Sequence, residues 1–155
     1  MIDRPDLAIL LVAANRCLDD RLVAAVRQTG ARDVRSAFGF VIRAVAAEEP
    51  TVGRLAELLG VSRQAASKVS DEMVERGYLL RRTDPSDRRR TRLRLSAKGR
   101  RVRERAAAES EAIEAELRDT AGDRAVRGLR RALLAFVEQE GALEEVRALR
   151  SRAPL

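Results

Sequence analysis

Two short stretches of the 155-residue chain hold side chains suited to gripping nucleic acid. Residues 62–68 read Ser-Arg-Gln-Ala-Ala-Ser-Lys. A helix N-terminus laid in a major groove aims its first two turns at base edges and phosphates, where small or hydrogen-bonding side chains are needed. Ser62 caps such a helix and is grouped with its contacts. Arg63 can pair bidentately with guanine and Gln64 with adenine, Ala65 offers thymine a methyl contact, and Ser67 and Lys68 can bond phosphate or base. Each good bidentate base contact is worth about 1–3 kcal/mol of discrimination. The second stretch is Asp87-Arg88-Arg89-Arg90. Its arginines suit a minor groove, where narrow A·T-rich tracts concentrate negative potential, and Asp87 would orient an arginine rather than touch DNA. The bland alternatives are an ordinary capped surface helix and a solvated loop.

Most other chemistries are excluded. With no His and one Cys, Cys17, the chain lacks Ser-His-Asp triads, Cys-His dyads, His-ligated zinc, CxxC pairs and intrachain disulfides. Ser-x-x-Lys, P-loop and dinucleotide fingerprints are also missing, so no enzyme, cofactor or metal is expected. A lone thiol fits a reducing cytoplasm better than secretion. Cys is among the most buried residue types, so Cys17 is expected to be structural. A redox sensor, its thiol pKa lowered by Arg16 and Arg21, is the alternative. Residues 1–14 imitate a signal peptide, but Asp3 offsets Arg4, Arg16 spoils the cleavage site, and the apolar period runs on helically through Leu18, Leu22 and Val26. No run approaches the ~18 apolar residues that cross a bilayer, so no membrane partner is expected.

The charge balance is 31 Lys and Arg against 24 Asp and Glu, a net +7. Residues 81–105 carry twelve basic and three acidic side chains, a local +9 that leaves −2 for the other 130 residues. A positive excess gathered in one segment points to a polyanionic partner. Phe38, Phe40, Phe136 and Tyr78 are the only aromatics, too few for the stacking platforms of single-strand binders, so duplex DNA is the expected partner.

Helices must position these residues. Leu7, Leu10, Leu11, Ala14, Leu18, Leu22, Ala25 and Val26 recur at helical spacing up to Gly30, and a second helix, from about Val34 to Ala47, carries Phe38, Val41, Ile42 and Val45 before Pro50 stops it. Thr51 caps a brief helix holding Leu55, Leu58 and Leu59, closed by Gly60. Ser62 caps the next, which runs to Gly77 with Ala66, Val69 and Met73 on its core face. The pair is a helix-turn-helix pattern. Leu79-Leu80 then lead through a turn at Asp84-Pro85-Ser86-Asp87 into alternating Arg92-Leu93-Arg94-Leu95, two short strands with an arginine-loaded tip. Ser96 starts a long charged helix to about Asp119; Val126, Leu129, Leu133, Phe136 and Val137 make another, and a tail helix is expected near Leu143, Val146 and Leu149. The predicted fold class is mainly α with a small β-hairpin wing. Residues 1–155 form a single domain: a winged helix-turn-helix over 34–100, a connecting helix over 96–119, and flanking helices in 1–33 and 120–155.

At residues 51–79, "TVGRLAELLGVSRQAASKVSDEMVERGYL", and above all at 84–99, "DPSDRRRTRLRLSAKG", the chain resembles the multiple-antibiotic-resistance regulator (MarR) family of winged-helix repressors. Asp87 and Arg89 fall on the Asp-x-Arg pair of the family's wing, Leu95 and Ser96 on the strand end, and Gly99 on the glycine three positions on. Ser70 stands where the family usually has an apolar residue, and Arg63 where it often has Pro or a small one. The resemblance implies a homodimer in which the helices of 1–33 and 120–155 interlock. Leu7, Leu10, Leu11, Ala14, Leu18, Leu133, Phe136 and Val137 are the candidate dimer contacts. It also implies a pseudo-palindromic operator with half-sites about 10 base pairs apart, and a small-molecule effector whose identity and pocket residues stay unassigned.

The expected function is therefore a sequence-specific, duplex-DNA-binding homodimeric repressor. The alternatives are a winged-helix module that binds an acidic protein and a Cys17 thiol-based redox-sensing repressor.

Overall fold

The computed structural model describes residues 5–142. The chain runs through α1 (Leu7–Arg27), α2 (Ser36–Glu48), α3 (Val52–Leu59), α4 (Arg63–Glu75), β1 (Leu79–Thr83), β2 (Thr91–Leu95), α5 (Ala97–Ala121) and α6 (Asp123–Gln139). This is the mainly α architecture with a hairpin wing that the patterning predicts. The helix starting after Ser96 runs on to Ala121, two residues past the expected end. The tail helix expected near Leu143, Val146 and Leu149 lies outside the described residues.

Side-chain caps explain where several helices begin. Each occupies one backbone N–H that the first helical turn leaves without an intrahelical partner. Asp6 accepts from the Ile9 N–H at 2.8 Å, Thr51 from Arg54 at 3.2 Å, Ser62 from Ala65 at 3.2 Å and Ser96 from Gly99 at 3.0 Å. Gly60, with φ +62°, closes α3 in the left-handed region that lacks a Cβ penalty. Glu49 is the one non-glycine of the described residues with positive φ, and it turns the chain from α2 into Pro50.

One core joins the helix-turn-helix to the wing. Phe38, Val41, Ile42 and Val45 of α2 meet Leu55 and Leu58 of α3, Ala66 and Met73 of α4, Leu79 and Leu93 of the hairpin, and Val102 of α5. The antiparallel register pairs Leu79 with Leu95 and Thr83 with Thr91, so alternate residues face the helices. On the other edge of β2 the Leu93 N–H donates to the Pro50 carbonyl at 2.8 Å, which fastens the wing to the segment between α2 and α3.

Helices α1 and α6 pack along α5, and of the two only α1 reaches this core, through Val26 near its end. Ala25 and Val26 are the buried residues of α1, and α6 buries none. The apolar stripes expected to meet a partner are accordingly open in the single chain: Leu7, Leu10, Ala14, Leu18, Leu133 and Phe136 are exposed, and Leu11 and Val137 are half-buried. Leu129 and Leu134 widen the exposed stripe of α6, while Ile9 and Val12 are exposed on the opposite side of α1. Cys17 is exposed too, which corrects the expectation of a packed structural cysteine. Among the described residues, nothing buries that part of α1. Arg21 is not free to act on the thiol, because its guanidinium bonds Glu109 at 2.8 Å and Glu116 at 2.5 Å on α5. No described helix is long and apolar enough to cross a membrane.

Candidate nucleic-acid interface

Helix α4 presents its N-terminal turns to solvent. Ser62, Arg63, Gln64, Ala65 and Lys68 are exposed and Ser67 is half-buried, while Ala66, Ser70 and Met73 face the core. Val69, expected on the core face, is half-buried. Ser70 sits among apolar neighbours without leaving a polar atom unpaired, because its hydroxyl donates to the Ala66 carbonyl at 2.6 Å. Ser67 donates to Asp71 at 3.3 Å, one turn further along the helix.

The far end of α4 is gripped by the start of α5. Ser96 Oγ donates to the Gly77 carbonyl at 2.5 Å, and Lys98 Nζ donates to the Arg76 carbonyl at 3.0 Å. A cation and a hydroxyl thus occupy carbonyls at the negative end of the helix. The Ser96 N–H donates to the Tyr78 carbonyl at 3.0 Å. Gly99 packs so closely that a Cβ there would lie 2.3 Å from that same carbonyl oxygen. These contacts give the Leu95-Ser96-x-x-Gly99 motif its physical sense: it locks the wing's second strand and α4 into one body.

The wing tip is organised by two aspartates. Asp84, buried beneath it, accepts from the Ser86 hydroxyl at 2.6 Å, the Ser86 N–H at 2.9 Å and Arg92 Nε at 2.5 Å. The Ser86 donors first, and then Arg92, hold its carboxyl well below the usual carboxylate range. Asp87 accepts from the Arg89 N–H at 3.0 Å and pairs with Arg90 Nε at 3.2 Å, so the arginine it orients is Arg90. Arg88 and Arg89 project into solvent.

The basic segment is not uniformly available. Among the described residues, at least six of its twelve cations hold an acidic partner: Arg81 with Asp71, Arg90 with Asp87, Arg92 with Asp84, Arg94 with Glu49, Lys98 with Asp33 and Arg105 with Glu109. Arg63 and Lys68 on α4 and Arg82, Arg88 and Arg89 on the wing take part in none of the ion pairs of the described residues. Cations outside the ion pairs of the described residues are thus present on α4 and at the wing tip, as they also are at Arg100 and Arg101 of α5.

Sequence reasoning left out the groups that hold this surface in place. Asp33, in the loop after α1, accepts from the Tyr78 hydroxyl at 2.5 Å and from Arg76 at 3.2 Å. The sequence marks Asp84 only as a turn residue. Its signal was the Asp-Pro-Ser run, in which an aspartate commonly bonds the backbone two residues on. Asp33 carried no local signal, because its partners lie more than forty positions away. The cleft between α5 and α6, about 420 Å³, is lined by Glu114, Arg118, Asp123, Val126, Arg127 and Arg130, charged groups that largely pair with one another.

Residues 40–90, from α2 to the wing tip, match the model of the MarR family. Among curated proteins none matches the chain. Among solved structures, CouR from Rhodococcus jostii RHA1, bound to p-coumaroyl-CoA, is 28% identical, with a TM-score of 0.61 over 84% of this chain and 91% of that one. A MarR family transcriptional regulator from Rhodococcus sp. RHA1 is 25% identical, with a TM-score of 0.61 over 84% and 93%. A MarR transcriptional regulator from Methanosarcina mazei Go1 is 18% identical and shares the fold, with a TM-score of 0.70 over 86% and 95%. The family match runs from α2 through α4 to the wing tip, and the likeness in fold extends over the flanking helices: the chain is similar to transcriptional regulators of the MarR family and shares their fold.

Proposed function

We propose that the protein is a cytoplasmic, homodimeric repressor that reads a pseudo-palindromic duplex. Residues Ser62 to Lys68 of α4 enter the major groove and Arg88 to Arg90 of the wing reach the adjacent minor groove. The observation that carries this reading is the distribution of charge. Arg63 and Lys68 in the exposed first turns of α4 and Arg88 and Arg89 at the wing tip take part in no ion pair among the described residues, while Arg90, Arg92 and Arg94 beside them are tied to carboxylates. A dimer is supported by the apolar faces of α1 and α6, where Leu7 and Phe136 are 69% and 58% exposed. Single exposed apolar residues are ordinary, whereas a run of them at helical spacing on each of two helices supports an interface.

Release by a small-molecule effector belongs to the same reading, supported by the p-coumaroyl-CoA in the CouR structure. An effector can release DNA only by its differential affinity for the two states, a coupling of about 1–3 kcal/mol. Hydroxyl-radical footprinting on the DNA upstream of the gene tests the geometry. Two protected patches about one helical turn apart are expected. A single patch, or uniform protection erased by salt, would contradict it.

A further inference from the structure

Asp71 is an acid on the wrong side of its helix for a DNA-binding protein. It lies four residues beyond Ser67 and seven beyond Gln64, on the same face of α4, and it is exposed. A bare carboxylate there would repel the phosphates that approach Lys68. It is not bare. Asp71 Oδ1 takes a hydrogen bond from Arg81 Nη2, and Asp71 Oδ2 takes one from the Ser67 hydroxyl. Arg81 comes from β1, where it shares the hairpin face of Leu79 and Leu93 and stands at the edge beside α4. A guanidinium has five N–H donors in a fixed fork. One is given to Asp71, and the half-exposed remainder of the group is free to donate elsewhere.

We propose that Arg81 is a further DNA-contacting residue, aimed at a phosphate between the recognition helix and the first wing strand, and that Asp71 is the residue that positions it. The chain Ser67–Asp71–Arg81 converts an unfavourable charge on the reading face into a bracket for a favourable one. Arg81 thereby counts with Lys68 and the wing arginines rather than with the internally neutralised cations. This inference rests on the duplex-DNA reading given under Proposed function.

The test uses the full chain and a duplex that the wild-type protein selects from a random-sequence pool, with a shuffled duplex as control. Affinities are measured by fluorescence anisotropy at several salt concentrations, and thermal unfolding monitors the fold. Arg81→Ala is expected to weaken binding to the selected duplex by about ten-fold, and to reduce the salt slope by about one unit. Arg81→Lys is expected to restore the slope, since the charge returns. Asp71→Asn leaves the arginine charged but unheld. It is expected to weaken the selected duplex without weakening the control, so that the ratio between them falls.

A purely structural pair would behave differently. If Arg81→Ala melts lower yet keeps the wild-type slope and affinity, or Asp71→Asn tightens both duplexes equally, the inference is overturned. Lys68→Ala separates the two levels of the argument. If Lys68→Ala weakens binding and the Arg81 variants do not, only this inference fails. If the folded wild-type protein selects no duplex, the DNA reading fails and takes the inference with it.

Discussion

The Tyr78 hydroxyl donates a 2.5 Å hydrogen bond to the Asp33 carboxylate, joining the loop after α1 to the junction between the recognition helix and the wing. Around it, the Lys98 ammonium lies 3.9 Å from the centre of the Tyr78 ring, and the Phe38 ring meets Tyr78 edge-on at 5.7 Å. Such aromatic and cation–π contacts add to area burial where water is excluded. The Tyr78 bond is the leading reason that Asp33 is held down at about 2, with a backbone N–H, Arg76 and Lys98 adding to it against the opposing effect of burial. Burial first, and then Asp33, push the Tyr78 hydroxyl up.

Tyr78→Phe keeps the ring and deletes the bond. It is expected to destabilise the fold by about 1–2 kcal/mol at neutral pH, the range for a partly exposed hydrogen bond to a charged group. Because the folded-state pKa of Asp33 is depressed, its contribution is complete above the ordinary carboxylate pKa of 3.8 and is lost as pH falls toward about 2. Urea denaturation of both proteins across that range should show the difference between them narrowing as pH falls. A difference that stays constant would contradict the link.

Gly99→Ala is expected to lose stability although alanine is the better helix former by about 1 kcal/mol. The new methyl would stand 2.3 Å from the Tyr78 carbonyl oxygen, and backbone on both sides must move to admit it. A net loss of about 1–3 kcal/mol is expected, as for other overpacked positions. Thermal unfolding measures it, and an unchanged or raised midpoint would show that the approach of α5 to the hairpin is less tight than described.

Much of this fold was legible because its signals are local. Thr51, Ser62 and Ser96 sit where they cap, Gly60 sits where the chain must turn left-handed, and the switch from helical to alternating period at Leu79 marks the hairpin. Charge was legible in amount and not in availability. The twelve cations of residues 81–105 are visible in the sequence, whereas their pairing with Glu49, Asp71 and Asp33 depends on which elements the fold brings together. Cys17 failed for a related reason: the general tendency of cysteine to be buried says nothing of a helix whose outer face the chain itself leaves open.

The exposed stripes give a separate prediction about assembly. Leu10→Glu and Phe136→Glu change residues that are exposed in the single chain, so neither should disturb the winged core. Each is expected to turn a dimer into a monomer in analytical ultracentrifugation, with an unchanged helical circular-dichroism spectrum. If both variants sediment as the wild type does, these faces are not the dimer contacts.

The central claim, that α4 and the wing read duplex DNA, is tested most directly by an anisotropy titration against the DNA upstream of the gene, with a shuffled duplex as control, at two salt concentrations. The account predicts saturable binding at physiological salt at least ~10³-fold tighter than to the control. Arg89→Ala and Lys68→Ala should each weaken it, and Lys68→Ala should lower the salt slope by about one unit. Equal, salt-erased binding to both duplexes, unaffected by either substitution, would contradict the account and leave residues 81–105 as a general polyanion-binding surface.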